Sequence, residues 1–141
     1  MIAYFDTSAV IPLIIEEPAS TTCERLWNDA GRIVSVRLLY PEARAALAKA
    51  RRMQRITSEQ VDAASAELES ILGQVDHIEI TAELARTAGE LAAAHGLRGY
   101  DAVHLAGALA ATDEEFVLVT GDTDLGNAAT SLGIAVAFTI A

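Results

Sequence analysis

Residues 117–125 read VLVTGDTDL: a run of β-forming residues closes in Thr120-Gly121, and Asp122 and Asp124 follow with one residue between them. Gly and Asp after a strand ordinarily make a turn. Two carboxylates so close together raise a second possibility, a site. Which of the two applies depends on what the rest of the chain brings to the same edge.

Working outward, FVLV (116–119) predicts a strand, residues 124–132 a short helix, and IAVAFTI (134–140) a last strand. Upstream, YDAVHLAGALAAT (100–112) is an Ala-rich helix. Thr81 caps a helix that runs to His95 and stops at Gly96. HIEI (77–80) alternates weakly and is read as a strand. TSEQ (57–60) is a capping segment that opens a helix to about Leu72. Residues 38–54 place Leu39, Ala43, Ala46, Leu47, Ala50 and Met53 on one helical arc. IVSV (33–36) is a short strand. A helix over 18–30 opens near Pro18. At the N-terminus IAYF (2–5) is a buried strand, and TSAVIPLIIEE a helix capped by Asp6 or Thr7. Strand and helix alternate throughout, which predicts an α/β fold on a mainly parallel sheet of about five strands. No repeat or linker interrupts the chain, so residues 1–141 are expected to form one domain.

Ligands of open parallel sheets bind beyond the carboxyl ends of the strands. Asp6 follows the first strand at that edge, and Asp122 and Asp124 follow the fourth. Asp101 opens the helix before the fourth strand, and Glu42 borders the apolar arc of the long helix. Clustered carboxylates repel one another and need a compensating cation. All-oxygen ligands suit Mg²⁺ or Mn²⁺. One or two such ions on a carboxylate rim suit phosphodiester hydrolysis, activating water and steadying the leaving oxygen.

The charge balance narrows the class. Twenty acidic residues stand against 10 basic ones, a net charge of −10. This argues against non-specific nucleic-acid binding through a basic surface, but not against a nuclease whose acids hold metal. Lys49 is the single lysine, and no P-loop is present. Cys23 is the single cysteine, which excludes an intramolecular disulfide and favours a reducing compartment. The apolar N-terminus lacks a basic leader and is broken by Asp6 and Pro12, so a soluble, cytoplasmic protein without a membrane span is expected.

Taken together, FDTSAVIPL, Glu42 within LLYPEARAAL, YDAVHLAGALA and LVTGDTDL resemble the PIN domain family, in particular the VapC-type ribonuclease toxins of toxin–antitoxin pairs. The resemblance spans nearly the whole chain. It implies a Rossmann-like parallel sheet and a Mg²⁺- or Mn²⁺-dependent endoribonuclease acting on RNA. It carries metal-site roles to Asp6, Glu42, Asp101 and Asp122, matches Asp124 to a further acid, and matches Ser8 and Thr120 to small hydroxyl positions beside the acids. A VapB-like antitoxin partner and a homodimer are implied as well. The antitoxin would sit in a groove of the helices over 38–72. Two positions depart from the pattern. Pro41 precedes Glu42, and Leu125 stands where an aromatic residue often follows the last acids.

Each acid also has a plainer reading. Asp6 is a helix cap, Asp101 a first-turn acid, Asp122 and Asp124 turn residues, Glu42 a solvated helix acid. Asp124 is left between second-ion ligand, holder of a metal-bound water and helix cap. His104 is read as a packed helix histidine, with orientation of a carboxylate or contact with substrate as the alternative. Arg44, Arg51 and Arg55 form a stripe opposite Glu42, read as a solvated face, with RNA or antitoxin contact as the sharper reading. Two other functions stay in view: a PIN-like binding module without activity, and an aspartate-dependent phosphatase-like domain. Ser8, where that second class has its second acid, counts against the latter.

Overall fold

Four-residue β1 (Ile2–Phe5) sets the layering. Ala3 and Phe5 pack into one core and Tyr4 into another, so both faces of the strand are buried. It pairs in parallel with β2 (Arg32–Val36) and β4 (Phe116–Thr120); β3 (Val75–Ile78) extends the sheet beyond β2, and β5 (Val136–Phe138) beyond β4. The order is β3-β2-β1-β4-β5, with every pairing parallel. The computed structural model describes residues 1–140.

On one face Phe5, Ile33 and Val119 meet Val10 of α1 (Thr7–Ile14), Cys23 of α2 (Ser20–Asp29), Leu39 of α3 (Leu39–Arg52) and Leu68 of α4 (Ser58–Leu72). Phe5 meets Trp27 edge to face at 5.2 Å. Burying a side chain such as Phe5 contributes about 1.5–3 kcal/mol. On the other face Tyr4, Val36 and Leu118 meet Leu105 of α6 (Gly99–Ala111) and Leu125 of α7 (Thr123–Ser131). Helix α5 (Ala82–His95) packs through Leu84 and Ala88 on Ala102 and Ala106 of α6. A parallel sheet covered on both faces is the expected α/β solution.

The caps follow the sequence signals. Thr57 and Gln60 form a reciprocal capping box, Thr81 caps α5, and Gly96 ends α5 at φ 64°, the left-handed region. Pro41 lies at the third position of α3, where its missing N–H has no helical partner to lose. Glu42 is therefore in the first turn of a helix that starts at Leu39.

Several boundaries differ from expectation. Helix α1 ends at Ile14, three residues short of Glu17. Pro12 cannot donate to the Ser8 carbonyl, and the Ser20 hydroxyl ties down the exit by accepting from Glu17 N and donating to Ile15 O. Strand β3 covers 75–78 and not 77–80: Val75 is the residue that enters the core, while Ile80 is exposed. Strand β5 is confined to 136–138; Ile134 is buried ahead of it, and Phe138 and Ile140 are exposed. Helix α7 starts at Thr123, because Asp122, and not Asp124, is its cap. Among the described residues no helix is long and apolar enough to cross a membrane.

Candidate active site

The strand order reverses between β1 and β4, so their carboxyl ends flank the crevice where open α/β sheets hold ligands. Asp6 leaves β1 there as the N-cap of α1, and its Oδ1 accepts from Ala9 N at 3.1 Å. Two hydroxyls complete its environment: Ser8 donates to Oδ1 and Thr120 to Oδ2, each at 2.7 Å. The same hydroxyls also hold the opening stretch. Gly121 N donates to Ser8 Oγ at 2.8 Å, and Asp122 N to Thr120 Oγ1 at 2.9 Å. A Cβ on Gly121 would stand 3.0 Å from Thr139 Oγ1 and 3.4 Å from Ser8 Oγ, so glycine lets the turn close against both. Ser8 and Thr120 thus connect Asp6 to the Asp122 turn.

Asp122 caps α7 through Oδ1, which accepts from Leu125 N at 3.0 Å. Its Oδ2 faces the Arg98 guanidinium at 3.9 Å. Arg98 Nε donates to Asp101 Oδ2 at 3.1 Å. Asp101 is buried, in the first turn of α6. Burial pushes its carboxyl above the usual range, and the neighbouring Asp122 charge adds to the rise; Arg98 opposes both. Burial likewise raises Asp6, and His104 and the two hydroxyls draw it back.

Glu42 reaches the rim from α3. Its Oε1 accepts from Thr7 Oγ1 at 2.7 Å and lies 2.6 Å from His104 Nε2. The other ring nitrogen, Nδ1, is 2.8 Å from the Tyr4 hydroxyl. His104 is 2% exposed, so it is packed as expected, and it also contacts the Glu42 carboxylate. Asp124 is exposed in the first turn of α7 and joins none of these contacts.

Asp6, Glu42, Asp101, Asp122, Ser8 and Thr120 therefore gather around the ends of β1 and β4, and Asp124 stands apart. Among the described residues no three His, Cys, Asp or Glu side chains form a ready-made metal cage. The donor set nevertheless fits Mg²⁺ or Mn²⁺, which takes one or two carboxylates and completes its shell with water and phosphate. Asp101 and Asp122 are such a pair. A guanidinium already bridges them, and their mutual repulsion marks a place where a cation is favoured. Both Asp6 oxygens accept hydrogen bonds, which suits a fixed ligand better than a nucleophile.

Sequence reading missed Arg98, Thr7 and Tyr4. Arg98 lies three residues before Asp101 on the same helical approach, a spacing that carries an ion pair. Thr7 and Tyr4 flank Asp6 but carry no spacing signal toward Glu42. The Arg44, Arg51 and Arg55 stripe is not continuous. Arg44 lies over the Tyr40 ring, Arg51 donates to Ser58, and Arg55 lies beyond the end of α3, 3.9 Å from Glu17. Cys23 is buried and its thiol is pushed up to about 11, chiefly by burial, which removes it as a nucleophile.

The family model for the PIN domain matches residues 3–130, which include every acid of this rim. The chain belongs to the PIN domain family. This PIN domain is 40% identical over 136 residues to ribonuclease VapC45 of Mycobacterium tuberculosis (strain CDC 1551 / Oshkosh), covering 96% of this chain and 94% of that one. Among solved structures it resembles Mycobacterium tuberculosis VapC20, a Sarcin-Ricin loop cleaving toxin (TM-score 0.69, 20% identity, 94% and 96% of the two chains). It also resembles VapBC2 from Rickettsia felis, bound to a DNA fragment from their promoter (TM-score 0.65, 18% identity, 98% of each chain). At these identities the two structures bear on the PIN fold alone.

Proposed function

We propose that this PIN domain is a Mg²⁺- or Mn²⁺-dependent endoribonuclease, the toxin half of a VapBC-type pair, with residues 1–141 acting as one domain in the cytoplasm. The observation that carries the reading is the Asp6–Ser8–Thr120–Asp122 network, anchored on the buried Asp6 and Thr120, beside the Arg98-bridged Asp101. The name of the 40% identical relative, ribonuclease VapC45, supports the substrate class.

In this reading Asp6, Asp101 and Asp122 hold one or two ions, and Glu42 completes the rim. Bound there, the metal supplies Lewis-acid polarisation of the phosphodiester and lowers the pKa of water. The protein's part is preorganisation. Ser8 and Thr120 fix both oxygens of Asp6, and the α7 cap fixes Asp122. Thr7 and His104 hold Oε1 of Glu42, leaving Oε2 outside these contacts and free to orient the attacking water. The exposed Arg98 head at the rim meets the incoming phosphate. Asp124 is proposed only as a contributor to a second ion.

A VapB-like antitoxin and a homodimer complete the proposal. Leu13, Ile14, Ile15 and Ile56, edged by Glu16, Arg55 and Glu67, line a mixed groove of about 430 Å³ between α1 and the α3–α4 pair, suited to an amphipathic segment. Incubation of the purified protein with single-stranded RNA tests the activity. Cleavage that needs Mg²⁺ or Mn²⁺ and is lost in Asp6→Asn is expected. Cleavage unchanged in EDTA sinks the metal mechanism, and Mn²⁺ binding without cleavage favours an inactive binding module.

A further inference from the structure

Glu42 is a rim acid whose carboxylate is held by side chains alone. It comes from α3 and is held only by the Thr7 and His104 side chains, whereas Asp6 and Asp122 are helix caps that also accept from backbone N–H groups. We propose that His104, itself held by the Tyr4 hydroxyl, is a positioning residue that sets the Glu42 carboxylate for catalysis. The proposal rests on the ribonuclease reading given above.

The geometry has a direction. A carboxylate only accepts, so the 2.6 Å contact requires a hydrogen on His104 Nε2. In the neutral ring Nδ1 is then bare and accepts from the Tyr4 hydroxyl at 2.8 Å. Tyr4 is fully buried in the sheet, so it is a rigid anchor. The two rings meet edge to face at 5.9 Å. Gly107, one turn beyond His104 on α6, brings the helix down onto the sheet: a Cβ there would stand 3.0 Å from Tyr4 Oη and collide with Val36 Cγ1. Helix α6 therefore delivers Asp101 to the rim and, three residues later, a donor that fixes an acid from α3. Thr7 holds the same oxygen from a second side. A buried histidine needs partners for both ring nitrogens in any role; what singles out His104 is that the partner of Nε2 is an acid of the rim. A second partner that sets the tautomer of a histidine and orients its ring is the arrangement seen around metal-site residues, where its loss costs about 10–100-fold.

The test separates donation from packing. His104→Leu keeps an apolar body and loses both ring nitrogens; His104→Gln restores an N–H donor at similar reach. Tyr4→Phe removes only the anchor hydroxyl, and it keeps the proposal testable should His104→Leu fold poorly. We expect kcat on single-stranded RNA to fall roughly 10–100-fold in His104→Leu with KM little changed, and to recover largely in His104→Gln. Tyr4→Phe should fall in the same direction by less. His104→Leu added to Glu42→Gln should cost little more. Wild-type kcat in His104→Leu, or equal losses in the Leu and Gln variants, overturns the proposal. A readout free of activity is the ¹⁵N spectrum of the His104 ring in the metal-free protein. A proton on Nε2 is required, and a bare Nε2 overturns the proposal. If the wild-type protein cleaves no RNA with Mg²⁺ or Mn²⁺, the ribonuclease reading falls, and the ring spectrum alone still decides whether His104 donates to Glu42.

Discussion

The Arg98 guanidinium bridges Asp101 and Asp122, with Nε 3.1 Å from one carboxylate and Nη2 3.9 Å from the other. It is mostly exposed and stacks over the Tyr100 ring at 4.9 Å, so it can swing out without breaking the core. In the proposed nuclease it stands where a metal ion must enter. Arg98→Ala should therefore tighten Mn²⁺ binding on the order of two- to fivefold at low salt. Calorimetric titration measures this directly, and weaker binding in the variant would mean that Arg98 assists the ion.

Asp101 has a stability consequence. Its carboxyl is raised by burial and then by Asp122. A raised acid binds more protons in the folded state than in the unfolded one. Stability is therefore unaffected below the usual carboxylate range and falls as pH climbs through the raised value. Asp101→Asn removes that penalty. The variant should melt higher than wild type at pH 7, with the gain shrinking toward about pH 3, below the ordinary Asp value. Melting curves at both pH values check this; a gain as large at the lower pH would contradict the assignment.

Thr120 is fully buried, and its hydroxyl serves two partners, donating to Asp6 and accepting from Asp122 N. Thr120→Val keeps the shape and leaves both partners unsatisfied. A loss of about 1–3 kcal/mol is expected in urea unfolding. Thr120→Ser should recover most of it. Equal stability in the Val variant would show that water replaces the hydroxyl.

At Gly107 helix propensity and packing oppose each other. Alanine in a helix interior gains about 1 kcal/mol over glycine. Here its Cβ meets Val36 and Tyr4, and overpacking costs about 1–3 kcal/mol. Gly107→Ala should be destabilised despite the better propensity, and RNA cleavage should fall with it as Tyr4 and His104 move apart. Gly89, which has open space around the same atom, is the control: Gly89→Ala should be neutral or stabilising.

The legible parts were those written locally. Asp6 could be placed because it ends a strand, and Asp122 because a strand and Gly121 precede it; the parallel-sheet rule then put both on one edge. The caps at Thr57, Thr81 and Gly96 were local signals too. What escaped was set by tertiary geometry. Glu42 and His104 are 62 residues apart, and only the packing of α6 on the sheet brings them together. Strand ends at Val75 and Val136 are decided by pairing with β2 and β4, which no local pattern encodes. Asp122 and Asp124 are both acceptable caps by residue type, and the tight Gly121 turn gives the role to Asp122.

The central claim is that this rim cleaves RNA through a metal held by its carboxylates. The most direct measurement is cleavage of single-stranded RNA by metal-stripped protein as Mn²⁺ is returned, with Asp101→Asn run beside wild type. The account predicts cleavage that rises from zero with Mn²⁺ in the wild type and stays at background in the folded variant. Cleavage by the stripped wild type, or by Asp101→Asn at the wild-type rate, would contradict it.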